Sequence, residues 1–215
     1  MILKDIVKST GRYITGIVYP ERCPLCGRTM YAGSAGIICQ KCYGKAEYTG
    51  DSVCMKCGKP VSEDTEFCMD CTGKETSFIC GKAVFVYNQY LQKSMAGFKY
   101  YGRAEYGRFY AMEMFKKYES WIRKISPDAL IPVPVHEDRR LKRGYNQAEI
   151  IAGWLGEMTG IQVVSDMVIR KKHTNPQKEL SNKERRRNLY GAFDIVKKSR
   201  ELYPKIKCVI IIDDI

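Results

Sequence analysis

The stretch "CVIIIDDI", residues 208–215, carries four consecutive β-branched residues that lead directly into two adjacent aspartates. A short, continuous apolar run of this kind is typical of a strand that is buried in a parallel sheet. Polar residues that follow such a strand lie at its carboxyl end, where open α/β sheets bind their ligands. The stretch therefore predicts an α/β fold in which Asp213 and Asp214 face a ligand site.

Helix-like and strand-like segments alternate through the preceding sequence, which indicates a parallel-sheet α/β domain. The predicted strands cover residues 83–88, 162–170, 192–196 and 208–212, and a further strand starts in 128–135 and breaks at Pro132 and Pro134. The predicted helices cover residues 90–99, 104–124, 146–160 and 181–189. One more amphipathic helix is predicted over residues 2–18, where it would pack on the rest of the protein; a membrane-surface helix is the alternative.

The net charge of +12 is distributed unevenly along the 215 residues. Residues 1–75 carry a balance of +1 and residues 76–215 a balance of +11, so the second part is predicted to bind anions. We predict three parts: an N-terminal helix over 1–19, a cysteine-rich module over 20–75 and the α/β domain over 76–215. No segment reaches the roughly 18 apolar residues of a membrane span, and charges near the N-terminus exclude a signal peptide, so we predict a cytoplasmic protein.

Four CxxC pairs follow one another in the cysteine-rich module. They are Cys23 and Cys26, Cys39 and Cys42, Cys54 and Cys57, and Cys68 and Cys71. Two such pairs supply the four thiolates of a tetrahedral zinc site, and this spacing favours two zinc ions over disulfides or an iron–sulfur cluster. Sequential pairing would give one site to the first four cysteines and one to the last four, although an interleaved arrangement fits the spacing too. Because four thiolates leave no open position, both sites are predicted to be structural.

In the basic segment "PVPVHEDRRLKRGYNQAEI", residues 132–150, a predicted strand ends and a predicted loop leads to a helix that opens near Asn146. Its candidate anion-binding residues are His136, Arg139, Arg140, Lys142, Arg143 and Gly144. Cationic side chains and a helix N-terminus together suit a phosphate or pyrophosphate. The alternative is a solvated basic turn without a ligand.

A second basic segment, "RKKHTNPQKELSNKERRRNLYGAF" over 170–193, combines a predicted mobile loop with a helix start. The loop from Thr174 to Gln177 carries an Asn-Pro turn signal and could serve as a lid. Ser181 and Glu184 have the spacing of a capping box. The alternative for the arginines that follow is a solvated helix face.

These motifs together resemble the ComF-type competence and phosphoribosyltransferase-like proteins. The resemblance rests on the ordered CxxC pairs, "IPVPVHEDRRLKRGYNQAEIIA", the second basic segment and "VIIIDDI", which span nearly the whole chain. It implies a double zinc ribbon followed by a type I phosphoribosyltransferase-like parallel sheet that binds phosphoribosyl pyrophosphate with Mg²⁺. It also implies a link to natural transformation, in which single-stranded DNA and other competence proteins are partners.

The resemblance also assigns roles to individual residues. Asp213 and Asp214 would contact the ribose hydroxyls as the acidic pair of the catalytic site. The segment from Pro132 to Gly144 would bind pyrophosphate, through His136, Arg139, Arg140, Arg143 and Gly144. Lys172 and Gln177 would belong to a flexible hood over the substrate.

The sequence departs from the family pattern after Asp214. In the family, a turn containing Thr-Thr-Gly follows the acidic pair and holds the 5′-phosphate, whereas this sequence stops at Ile215. We therefore expect the 215-residue chain to be an incomplete phosphoribosyltransferase domain without transferase activity.

A non-catalytic protein that binds single-stranded nucleic acid is the competing function. Its support is the charge of the second part and four tyrosines close to basic residues, namely Tyr100, Tyr101, Tyr106 and Tyr145. Aromatic side chains beside cationic grooves stack on the bases of single strands.

Overall fold

The computed structural model describes residues 20–30, 36–174 and 180–214. The chain divides into two compact units, Met1–Gly97 and Phe98–Ile215. The helix predicted over 2–18 lies outside the described residues.

The first unit is built from tight turns at the CxxC pairs. Isolated antiparallel bridges, Arg22 with Thr29 and Val53 with Pro60, close two of these turns, and Gln40–Cys42 form a 3-10 helix. Among the residues described here, few apolar side chains of this unit are buried, so the fold depends on what the cysteines bind.

The strand predicted over 83–88 is wrong, because the structure has only an isolated bridge there, between Tyr48 and Phe85. Two backbone hydrogen bonds flank this bridge, from Thr49 to Val84 and from Val86 to Glu47. Pairing does not extend further, since helix α1, Gln89–Tyr100, begins soon afterwards.

Two helices form the core of the second unit. Helix α2, Tyr106–Ile125, packs on helix α4, Gln147–Thr159. Gly107 permits the close approach, because a Cβ atom there would lie 2.4 Å from Cγ2 of Ile150. Both helices were predicted, and their apolar faces meet as the sequence period indicates.

A parallel pair of strands lies beside these helices. Strand β1, Ala129–Pro132, is buried along its whole length and pairs in parallel with β4, Val209–Ile212. An isolated parallel bridge joins Leu130 to Val163 on the other side of β1. Asp128 fixes the start of the pair, because its Oδ2 accepts hydrogen bonds from the N–H groups of residues 207 and 208 at 2.8 Å each. The mixed α/β class and the parallel pairing predicted from the last residues are confirmed.

Strands β2, Val168–Arg170, and β3, Phe193–Ile195, pair with each other in antiparallel fashion. The prediction that they extend the parallel sheet is therefore wrong. Strand β2 is also shorter than the predicted 162–170, because residues 164–167 leave the strand after the bridge at Val163.

The described residues of the second unit also form three short helices. Helix α3, Glu137–Arg143, lies where the sequence predicted a basic loop. Helix α5, Asn182–Leu189, begins at the predicted capping box, in which Ser181 and Glu184 satisfy each other's backbone N–H groups. Helix α6, Ser199–Leu202, precedes β4. Within the described part of the chain, no helix is long and apolar enough to cross a membrane.

Candidate functional site

Two clusters of four cysteines lie in the first unit. The first consists of Cys23, Cys26, Cys39 and Cys42, and the second of Cys54, Cys57, Cys68 and Cys71. Within each cluster the sulfur atoms all lie within 4.8 Å of one another. The sets are sequential, which decides between the two pairings that the spacing allowed.

The sulfur separations match a tetrahedral zinc site. The Sγ atoms of Cys26 and Cys39 are 3.7 Å apart, and those of Cys57 and Cys68 are 3.6 Å apart. Zinc–sulfur bonds of about 2.3 Å place tetrahedral ligands at about this separation, whereas a disulfide needs about 2.0 Å. The clusters therefore fit two structural zinc ions, each held by four thiolates. The N–H of Cys39 also donates to Sγ of Cys23 at 3.4 Å, a contact that would orient this thiolate toward a metal ion.

The second candidate site lies at the carboxyl edge of β1 and β4. Because the two strands run in parallel, the segments that leave them emerge at the same edge. The N–H of Val133 extends the ladder by donating to the carbonyl of Ile212 at 2.9 Å. The start of α3 and the acidic pair, two predicted site components, therefore meet at one edge of the sheet.

The acidic pair is held by protein contacts. The N–H of Asp214 donates to Oδ1 of Asp213 at 2.8 Å. Nζ of Lys99 lies 3.0 Å from Oδ1 of Asp214, and both side chains are only 15% exposed. The surrounding protein removes water from the Asp213 carboxyl and, together with repulsion from Asp214, raises the pKa of Asp213 to about 6. Part of Asp213 still reaches solvent, so a ligand can approach the pair.

Arginines from two distant segments meet at Thr174, which is 4% exposed. Arg139 of α3 donates to the Thr174 carbonyl oxygen at 2.6 Å, and the guanidinium of Arg170 donates to the Thr174 hydroxyl. Burial, followed by the nearby charge of Arg139, lowers the pKa of Arg170, and Asp213 opposes that shift. Nε of Arg170 is buried and has no hydrogen-bond partner within residues 20–30, 36–174 and 180–214. Like charges brought together in this way favour the binding of an anion.

Other predicted residues have local roles at the same end of the unit. The His136 side chain caps α3, and its ring lies 5.3 Å from that of His173. Gly144 ends α3 with a φ of 79°, which favours glycine. Arg143 donates to Oε1 of Gln147 at 3.0 Å.

Two of the predicted anion-binding side chains, those of Arg140 and Lys172, contact other protein groups. Arg140 lies 3.5 Å from a carboxylate oxygen of Glu149, and Nζ of Lys172 donates to the carbonyl of Tyr190 at 3.1 Å. Gln177 lies outside the described residues. The prediction that residues 136–144 form a loop is wrong, since His136 and Gly144 cap a helix there.

Sequence reasoning missed Lys99 and Arg170. Lys99 lies at the end of a helix, where a basic residue is ordinary, and nothing local indicates its contact with Asp214. Arg170 could have been considered, because it opens the second basic segment at the end of a predicted strand.

Comparisons with known proteins agree with the first unit's geometry. Residues 14–72 match a family described as a double zinc ribbon domain. The chain therefore contains a double zinc ribbon, and its two clusters are the ribbon's metal sites.

Most of the chain is similar to curated proteins. It is 29% identical to competence protein F of Haemophilus influenzae over 90% of this chain and 84% of that protein. It is 27% identical to the DNA utilization protein YhgH of Escherichia coli over 93% of this chain and 86% of that protein. Competence protein ComFC of Bacillus subtilis is 30% identical over 54% of this chain and 50% of its own length. Most of the chain is thus similar to proteins named for competence and DNA utilization, in line with the resemblance of its motifs. No solved structure matches it.

Zinc removal from one cluster tests the assignment of the metal sites. We expect two zinc ions per chain in the purified protein and one in Cys57→Ser, because three thiolates and an alcohol hold zinc much less tightly. Elemental analysis by mass spectrometry measures both values. Cys80→Ser is the matched control, since Cys80 lies outside both clusters and its loss should leave two ions. Equal zinc content in Cys57→Ser and the parent protein would contradict the assignment.

Proposed function

We propose that this chain is a phosphoribosyltransferase-like protein that binds phosphoribosyl pyrophosphate with Mg²⁺ and serves DNA uptake. The observation that carries the proposal is the parallel pairing of β1 and β4, which places an acidic pair beside a cluster of arginines. Ribose hydroxyls can donate to the carboxylates, while the diphosphate can accept from the guanidinium groups. The names of the relatives, which refer to competence and DNA utilization, support the biological context.

The charges at this edge are complementary to such a ligand. Arg139 and Arg170 lie close enough to interact electrostatically, and the buried Nε of Arg170 has no partner among the described residues. A diphosphate placed between them would relieve the repulsion and satisfy that donor. Asp213 lies within electrostatic range of Arg170, so the acidic and basic halves of the site adjoin.

The acidic pair also fits Mg²⁺. Two carboxylates with partial access to water are typical of magnesium sites in which the substrate's phosphates supply further ligands. Asp213 would hold the ion or its water, while Asp214 keeps its ion pair with Lys99, and the ion would supply charge neutralisation for the diphosphate.

Direct binding tests this proposal. We expect phosphoribosyl pyrophosphate with Mg²⁺ to bind in isothermal titration calorimetry, and Asp214→Asn to weaken binding by about tenfold or more through the loss of a charged acceptor. Ribose 5-phosphate should bind less tightly than phosphoribosyl pyrophosphate, since it lacks the diphosphate.

Asp166→Asn is the matched control for this experiment. Asp166 is exposed and accepts a hydrogen bond from the Tyr203 hydroxyl at 2.7 Å, so its substitution should leave the affinity unchanged. Absence of binding by the parent protein would exclude the proposal.

Binding of single-stranded DNA is a second candidate function, favoured by one exposed aromatic surface. Tyr100 and Tyr101 are 69% and 72% exposed, and the Arg143 guanidinium lies 5.2 Å from the centre of the Tyr100 ring. The other two tyrosines do not contribute. Tyr106 is 4% exposed, and the Tyr145 hydroxyl donates to the carbonyl of Phe98.

Substitution of the exposed tyrosines tests this second function. We expect a fluorescent oligo-dT strand to bind in anisotropy titrations, with affinity that falls as salt rises. Tyr100→Ala and Tyr101→Ala should each weaken binding by about fivefold or more, because stacking contributes roughly 1–3 kcal/mol per base. Tyr190→Ala, at a tyrosine 83% exposed, is the control. Equal affinities in all variants would exclude Tyr100 and Tyr101 as the DNA-binding surface.

A further inference from the structure

The ion pair between Lys99 and Asp214 differs in burial from the other lysine pairs of the second unit. Its two side chains are each 15% exposed, whereas Lys116, which pairs with Glu113 on α2, is 59% exposed. A half-buried carboxylate that loses its cation is left without compensation for its lost hydration. The Asp214 carboxylate therefore needs the Lys99 ammonium to compensate for its lost hydration. Among the described residues, no other lysine forms an ion pair with Asp214.

The backbone that carries Lys99 is braced by the most distinctive motif of the sequence, Arg143 to Gln147. The carbonyl oxygen of Phe98 accepts two hydrogen bonds, one from the Tyr145 hydroxyl at 2.5 Å and one from Nε2 of Gln147 at 3.3 Å. The Phe98 ring is fully buried and stacks on Tyr145 with ring centres 5.9 Å apart. Arg143 in turn donates to Oε1 of Gln147, which orients that amide.

The same motif also fixes the strand that ends at the site. Nδ2 of Asn146 donates to the carbonyl of Val133 at 3.0 Å, and its Oδ1 accepts from the N–H of Ala148. Tyr145 and Gln147 thus hold the backbone at Phe98, and Asn146 holds the backbone at Val133. These side chains contact other parts of the protein rather than a ligand.

We propose that Lys99 is a positioning residue for the acidic pair and that Tyr145 and Gln147 act on the site through it. Lys99 supplies the positive charge that holds the Asp214 carboxylate in place, in the position that a divalent cation would otherwise take. Tyr145 and Gln147 hold the Phe98 carbonyl, so the lysine leaves the helix in the direction of Asp214. This inference rests on the proposed binding of phosphoribosyl pyrophosphate, which it refines.

Affinity measurements on Lys99 variants give the first test. Lys99→Met should weaken binding of phosphoribosyl pyrophosphate in the absence of Mg²⁺ by about tenfold or more, and Mg²⁺ should restore part of the loss by taking over the charge. Lys99→Arg, which keeps the charge, should retain most of the affinity. Lys116→Met is the matched control, and thermal unfolding of each variant reports whether it folds. Equal affinities for Lys99→Met and Lys116→Met would overturn the proposal.

A double-substitution cycle tests the brace. Tyr145→Phe removes only the hydroxyl that donates to Phe98, and it should weaken binding by a few-fold. If Tyr145 acts through Lys99, the same substitution should have no further effect in the Lys99→Met background. Additive effects of the two substitutions would overturn the assignment of Tyr145.

A third measurement does not depend on phosphoribosyl pyrophosphate. Mn²⁺, followed by water-proton relaxation in the zinc-loaded protein, should bind more tightly to Lys99→Met than to the parent protein, because the cation is no longer excluded from Asp214. The gain should disappear in Lys99→Met/Asp214→Asn. If Lys99→Met binds Mn²⁺ more tightly but the parent protein does not bind phosphoribosyl pyrophosphate, the proposed function is rejected and the role of Lys99 is supported. If binding of phosphoribosyl pyrophosphate depends on Asp214 but not on Lys99, the proposed function is supported and the role of Lys99 is rejected.

Discussion

The parallel hydrogen-bond ladder between β1 and β4 is the interaction on which the second unit depends. Asp128 fixes its beginning through the N–H groups of residues 207 and 208, and Val133 extends it to Ile212. A shift of one residue in this register would turn the side chains of β4 to the opposite face of the sheet. The relative positions of the acidic pair and of helix α3 therefore follow from the register.

Charged side chains from several segments meet at the carboxyl edge of β1 and β4. Arg139, Arg170 and Lys99 approach Thr174 and the acidic pair from three different segments. Partly buried charges are stable only when each has a partner. Nε of Arg170, which has none in the part of the chain that the structure describes, marks where the pairing is incomplete. An anionic ligand would complete it. The two thiolate clusters of the first unit, with four cysteines each, leave no coordination position for a ligand.

Local sequence patterns predicted much of this architecture. The helices α2 and α4, the strand β4 and the capping box of Ser181 follow from periodicity and cap chemistry, which act over a few residues. The CxxC spacing predicted two zinc sites but not their pairing, because both pairings satisfy it. Helix α3 was missed because its charged residues have no apolar face, and its caps were read as loop residues.

Contacts between distant segments could not be predicted from the sequence. Lys99 lies far from Asp214 along the chain, and the antiparallel pairing of β2 with β3 depends on which strands become neighbours after folding. Single-sequence patterns carry no such information. The roles of Tyr145 and Gln147 were missed for the same reason, because a basic, polar motif indicated a ligand contact although its side chains hold the Phe98 carbonyl.

The central claim is that the carboxyl edge of β1 and β4 binds a phosphoribosyl ligand. Hydrogen–deuterium exchange with and without phosphoribosyl pyrophosphate and Mg²⁺ tests it most directly, because it locates the protected segments. The account predicts protection in residues 133–144 and 209–214 and no change in residues 36–72. Protection that avoids residues 133–144 and 209–214, or is confined to the cysteine clusters, would contradict it.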